Sequence, residues 1–204
     1  MKPVSFFLLF AVAFCLLFPV EVFACACCAE DGYYSISTKR PQKLELDELR
    51  KIRFGNANLY MSAAGENNIA GISPIGESYT LSGLLQNSRW KLNFKDSACK
   101  TGALDLLSPI YMVDYSADIH DGRTSGGGGP LLYKEWRFKY KVASGSGIFQ
   151  KGVAPATEYF LVLQGRGNAC PQAADFTDWR LEITGRKADY AFFGKLNSGK
   201  TAAN

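Results

Sequence analysis

The chain has 204 residues, a formal net charge of +4, 13 % aromatic residues and 20 glycines. That length suits one domain with a substantial core, and so small a positive charge argues against a nucleic-acid protein. Aromatic residues and glycine at this level predict strands joined by turns rather than a helical bundle.

Residues 1–24 read as a secretory signal peptide. Lys2 supplies the positive start, Phe6 to Phe18 is an uncharged apolar run, and Val22-Phe23-Ala24 ends with residues that suit cleavage. The run is shorter than the roughly 20 residues a spanning helix needs. No later segment is apolar enough to span, so no transmembrane segment is expected once the signal is removed. The mature protein is expected to be secreted or periplasmic. Cleavage after Ala24 would leave Cys25 first, and cleavage after Ala26 is the alternative. A lipid on Cys25 would anchor the chain to the envelope and is the one expected route to membrane association. Bulky Phe23 and charged Glu21 argue against a lipidation signal.

Residues 25–40 form a Cys-rich N-terminal segment, 41–197 an all-β domain and 198–204 a flexible tail. Crowded thiolates suit Cu or Zn, so Cys25, Cys27 and Cys28 are candidate metal ligands. No fourth ligand stands at a suitable spacing, and no other cofactor is expected. Outside the cytoplasm disulfides are the default. A Cys99–Cys170 bridge is the leading pairing, and the competing one ties Cys27 or Cys28 to Cys99 or Cys170.

Leu44 to Phe54 is ambiguous, and a short helix near residues 45–53, acidic at its start and basic at its end, is the expectation. Next come weaker strands at Ala57 to Ala63 and Ser78 to Leu85. Arg89 to Lys95 alternates cleanly, with Trp90, Leu92 and Phe94 on one face and charged or polar residues on the other. Ala103 to Leu107 and Tyr111 to Asp118 follow as strands. Asp121 to Pro130, with four consecutive glycines, reads as a surface loop. Trp136, Phe138, Tyr140 and Val142 alternate within Glu135 to Val142, and Ser144-Gly145-Ser146-Gly147 marks a bend or bulge. Glu158 to Gly165, Asp178 to Thr184 (with Trp179, Leu181 and Ile183 on one face) and Tyr190 to Leu196 complete the set. These strands predict an all-β fold, a single antiparallel β-barrel or β-sandwich that must hide its edges. Trp90, Trp136 and Trp179 recur at similar intervals, each followed by a basic and then an apolar residue, which leaves a β-trefoil as a minor alternative.

No family motif matches residue by residue. The preferred function is a non-enzymatic binding protein whose barrel interior or sheet face holds a small apolar or carbohydrate-like ligand. The first alternative is thiophilic metal binding through Cys25, Cys27 and Cys28. The second is a hydrolase using His120 with neighbouring carboxylates. The carboxylates Asp114, Asp118, Glu135 and Asp178 could serve glycosidase-type chemistry, but nothing in the sequence pairs them. Arg89, Lys91 and Lys95, Arg137, Lys139 and Lys141, and Arg180 would form a positive stripe if their strands were neighbours. Solubility and edge protection explain them more simply.

Overall fold

The structure, a computed structural model, describes residues 34–61, 69–72, 78–86, 88–119 and 132–197. Ten strands, one α-helix and a 3₁₀ turn fill them. The elements run β1 (Tyr34–Lys39), α1 (Lys43–Leu49), β2 (Phe54–Met61), β3 (Ser78–Gln86), β4 (Arg89–Lys95), β5 (Thr101–Leu107), β6 (Met112–Asp118), β7 (Leu132–Gly147), β8 (Glu158–Gly167), the 3₁₀ turn Ala173–Asp175, β9 (Phe176–Gly185) and β10 (Ala188–Leu196).

Eight of the strands close into an antiparallel barrel. The order is β7-β5-β4-β3-β2-β10-β9-β8, and β8 returns to β7. Closure removes the edges that a sandwich or an open sheet would leave. It also selects the barrel over the sandwich and trefoil alternatives. β7 makes the closure possible because it is 16 residues long. Lys141 to Leu132 pairs with β8, while Val142 to Gly147 pairs with β5. The register steps between Asp105 and Leu106 of β5 because Ala143 is an extra residue on β7. This bulge bends the strand just before the predicted Ser-Gly-Ser-Gly bend. The freed half of β7 offers a second edge. β6 takes it through Val113↔Arg137 to Asp118↔Leu132, and β1 then pairs with β6. β1 lies within the stretch read as a Cys-rich lead-in and was not expected as a strand. Its signal was the alternation of Tyr34, Ile36 and Thr38 with Ser35, Ser37 and Lys39.

The alternation read from the sequence turns one face of every barrel strand inward. All three tryptophans lie inside, each 1 % exposed. Phe54 sits edge-on to two of them, with ring centroids 5.6 Å from Trp90 and 5.1 Å from Trp179. A second aromatic layer holds Tyr79, Phe94, Phe149, Tyr190 and Phe192, in which Phe94 lies 4.7 Å from Phe192 and 5.0 Å from Phe149. Each buried aromatic or aliphatic side chain contributes on the order of 1.5–3 kcal/mol of transfer free energy.

The two ends of the barrel are closed by different chemistry. Around the start of β7, α1 and the 3₁₀ turn form the cover, and Leu49, Ile52 and Ala173 join the core. The expected helix is present, shorter than predicted. Glu45 accepts from the Gln42 amide at 2.7 Å and caps its start. Arg53 donates to the Arg50 and Ile52 carbonyls beyond its end. Glu48 ties the cover down by accepting from the Ala173 amide at 2.7 Å. Beneath it, Lys134 points inward. Its ammonium reaches Asp175 Oδ2 at 2.7 Å and the Cys170 carbonyl at 2.6 Å. Gly167 leaves the space, since a Cβ there would stand 2.1 Å from Asp175 Cγ. The opposite end is apolar. The turn after β7 drives Phe149 into the core, and Ile69, Ile72, Ile148 and Val153 pack against it.

The ends also correct the expected Cys99–Cys170 bridge. Cys99 is a free, exposed thiol. It lies in the β4–β5 turn, where Asp96 accepts from the Cys99 and Lys100 amides and Cys99 takes a φ of 62°. That turn is at the apolar end, and Cys170 is at the Lys134 end. A disulfide needs Cα atoms within about 7 Å, far less than the length of the barrel between them.

Candidate functional site

The expected binding reading offered two places for a ligand, the interior and a sheet face. Among the described residues the interior is filled by side chains. Core side chains facing it are 0–8 % exposed, and a void large enough for a ligand would register as exposure on its lining. The outer face is different. A groove of about 1030 Å³ crosses β7, β8, β9, β10 and β2 and reaches Thr80 and Leu81 of β3. Its size is that of a small-ligand site.

Register places its residues in rows. One row runs Glu135, Gln164, Asp178, Lys195 from β7 to β10. The next runs Arg137, Val162, Arg180, Phe193, Asn58, reaching β2. Neighbouring strands lie about 4.8 Å apart, so two strand steps separate Glu135 from Asp178 by about 10 Å at their Cα atoms. Val162 faces outward yet is only 4 % exposed. The stems of Arg137 and Arg180 flank it on either side, which is how arginine covers apolar surface while keeping its head in water. At the β2 end, Gly55 and Asn56 together oppose Lys195, because the register of β10 steps between Gly194 and Leu196. That bulge turns the edge of the groove and adds Asn56 to its lining.

The polar groups are held in place. Glu135 accepts from the Tyr133 hydroxyl and from Arg137 Nε. Arg137 in turn lies over the Tyr115 ring, 5.1 Å from its centroid. Burial, and the carboxylate it donates to, raise the Tyr133 phenol above its ordinary value. Asp178 pairs with Lys195 at 2.6 Å and accepts from Thr177 Oγ1 at 2.7 Å. Burial pushes the Asp178 carboxyl up, but Lys195 and Thr177 outweigh it and hold the group below its usual range. Arg180 pairs with Glu182 at 3.2 Å.

Sequence reasoning named four carboxylates without pairing them. The structure brings Glu135 and Asp178 into one groove, with Gln164 between them. It leaves Asp114 elsewhere, bound to Lys39 at 2.6 Å, and Asp118 at the end of β6. The expected single positive stripe divides. β5 separates β4 from β7, so Arg89, Lys91 and Lys95 lie apart from Arg137 and Arg180. Acids neutralise much of both groups, with Arg89–Asp105 at 2.8 Å and Lys139–Glu158 at 3.5 Å. Among the groove residues that sequence reasoning missed are Gln164, Phe193 and Lys195. Each stands outward on a strand, and nothing local distinguishes them from ordinary surface.

The signal peptide, Cys25, Cys27, Cys28, His120, the glycine-rich loop and the tail all lie outside the described residues. Among the described residues no cluster of three His, Cys, Asp or Glu side chains could hold a metal ion, and no helix is long and apolar enough to cross a membrane. Comparison with known proteins finds no matching family model, no matching curated protein and no matching solved structure.

Proposed function

We propose that this is an exported β-barrel protein that binds a carbohydrate-like ligand on its outer face, in the groove over β7 to β10 and β2. One observation carries the reading. Acid, amide and guanidinium groups are held in fixed positions beside the half-exposed ring of Phe193. A sugar presents hydroxyls around its rim and C–H groups on its faces. Planar polar side chains match the rim, and an aromatic ring matches a face. A purely apolar ligand would desolvate these paired groups and offer them no hydrogen bonds in return.

Binding is favoured over hydrolysis. Two carboxylates could serve an inverting mechanism, but one of them must carry a proton to protonate the leaving oxygen. Both oxygens of Glu135 accept hydrogen bonds, and Asp178 is held as an anion by Lys195. Neither is poised as a general acid.

Export follows from residues 1–24, and it sets the redox state of the cysteines. The Cys99 thiol is free, while Cys170 is disulfide-bonded. These two observations favour the competing pairing, in which an N-terminal cysteine is bonded to Cys170. Non-reducing peptide mass spectrometry of the natively exported protein reads the cleavage site and this bond together.

The binding test is a printed panel of neutral, acidic and amino-sugar glycans probed with the mature protein, followed by titration calorimetry of the responders. Binding lost in Arg137→Ala and retained in Lys91→Ala, which lies outside the groove, supports the reading. A panel without responders, or responders indifferent to Arg137→Ala, removes it.

A further inference from the structure

We propose that the groove continues past Arg180 and Phe193 into a second subsite, so that the protein holds a linear oligosaccharide rather than a single sugar; this rests on the carbohydrate reading above. A depression of about 340 Å³ lies over β9, β10 and β2, and its lining shares Arg180 and Phe193 with the large groove. The two spaces therefore meet at that pair of side chains.

Register explains the depression. Glu182, Ala191 and Tyr60 stand side by side on β9, β10 and β2. Ala191 is the short member between a carboxylate and a phenol ring, and it leaves a trough. On the next row Thr184 faces Asp189, adding a hydroxyl and a second carboxylate at the far end. Hydroxyl-bonding groups thus recur along the path from Glu135 to Asp189.

Aromatic rings recur with them. Tyr60 is 59 % exposed and Phe193 46 %. Tyr60 lies opposite Ala191, and Phe193 is two residues further along the same face of β10. Such diagonal neighbours have Cα atoms about 7–8 Å apart. A chain lying obliquely across β10 would place successive rings over Phe193 and Tyr60, with its rims toward Arg180 and Glu182 on one side and Asn58 on the other. One sugar could use only one of these platforms, so the second ring adds affinity only to a longer ligand.

The experiment uses the best responder of the glycan panel as a series of one to six residues, titrated calorimetrically into the mature protein, Tyr60→Ala and Arg137→Ala. Tyr60 is on the surface, and an unchanged melting temperature confirms that its variant folds. Affinity is expected to rise with length. Tyr60→Ala should cost roughly five- to tenfold on the longest chains and leave the shortest binding chain unchanged, while Arg137→Ala weakens every length. Equal affinity at all lengths overturns the proposal, as does a Tyr60→Ala effect that is absent or uniform. If Arg137→Ala still weakens binding in those cases, the single-site reading survives. Indifference to both variants removes the two readings together.

Discussion

The inner and outer faces of β7 to β10 are built from alternate residues of the same strands, one position apart, and they solve opposite problems. Trp179 and Arg180 are adjacent in the chain. Trp179 is sealed between Phe54 and the barrel wall, and its indole donates to the Lys195 carbonyl at 3.2 Å. Arg180 lies in the open, paired with Glu182 and covering Val162. Inside, close packing makes the loss of side-chain volume costly and, among the described residues, leaves no room for a ligand. Outside, the charged groups contribute little to stability because water screens them, and so they are available for recognition. The pleat of single strands separates the groups that stabilise the barrel from those free to meet a ligand.

The largest effect should come from cutting the inner face alone. Trp179→Ala is expected to cost about 3–5 kcal/mol in urea denaturation, whereas Arg180→Ala should change stability by under about 0.5 kcal/mol while weakening glycan binding. Equal destabilisation by the two variants would show that the two faces do not differ in what they contribute to stability.

Next is a charge that crosses from the outer logic to the inner. The Lys134 side chain is 5 % exposed and its partner Asp175 13 %. Removing one member strands the other in a low-dielectric site. Lys134→Met should cost about 3 kcal/mol, and adding Asp175→Asn should recover roughly half of that or more. Strict additivity of the two losses in a double-mutant cycle would show that the pair is not coupled.

Two buried tyrosines differ from one another at smaller magnitude. Tyr159 donates to the Leu107 carbonyl at 2.6 Å. The Tyr190 hydroxyl has no hydrogen-bond partner among the described residues. Tyr159→Phe should lose about 1 kcal/mol, while Tyr190→Phe should lose nothing or gain slightly. Thermal melts of the two variants decide it, and a larger loss at Tyr190 would contradict the assignment.

The smallest effect is the response to pH. Burial alone would raise the Glu48 carboxyl, but Lys51 and the Ala173 amide outweigh it and lower it from its ordinary 4.5. Its contribution is therefore complete above pH 4.5 and is lost as the pH falls through the lowered value. Lys39 behaves oppositely. Burial lowers it, but Asp114 and Glu45 together raise it above its ordinary 10.5. Its contribution is complete below pH 10.5 and is lost as the pH rises through the raised value. Glu48→Gln should be less stable than the parent at neutral pH and converge with it in acid. A constant difference down to about pH 2 would remove Glu48 as the clasp of the α1 cover.

Much of the fold was legible because its signal is local. Arg89–Lys95 was read to the residue, and the inward positions of Trp90, Trp136 and Trp179 follow from period-two alternation. β1 was overlooked because Ser and Thr dilute its alternation. The full length of β7 was underestimated because the pattern fails at Ala143, where the bulge shifts the faces. The site was far less legible. Glu135 and Asp178 stood among four unpaired candidates, and Gln164, Phe193 and Lys195 carried no mark at all.

Which side chains turn inward was therefore written in the chain, since the pleat sends alternate residues to opposite faces whatever strand lies alongside. Neighbourhood was not written there. Glu135 meets Asp178 only because β8 lies between β7 and β9 in one register, and a one-residue slip would send either group to the other face. Closure belongs to the same class, because it depends on a single long strand sharing its two halves between β5 and β8. Pairings between residues far apart in the chain arise from packing the whole barrel at once, and the groove exists only after that packing is complete.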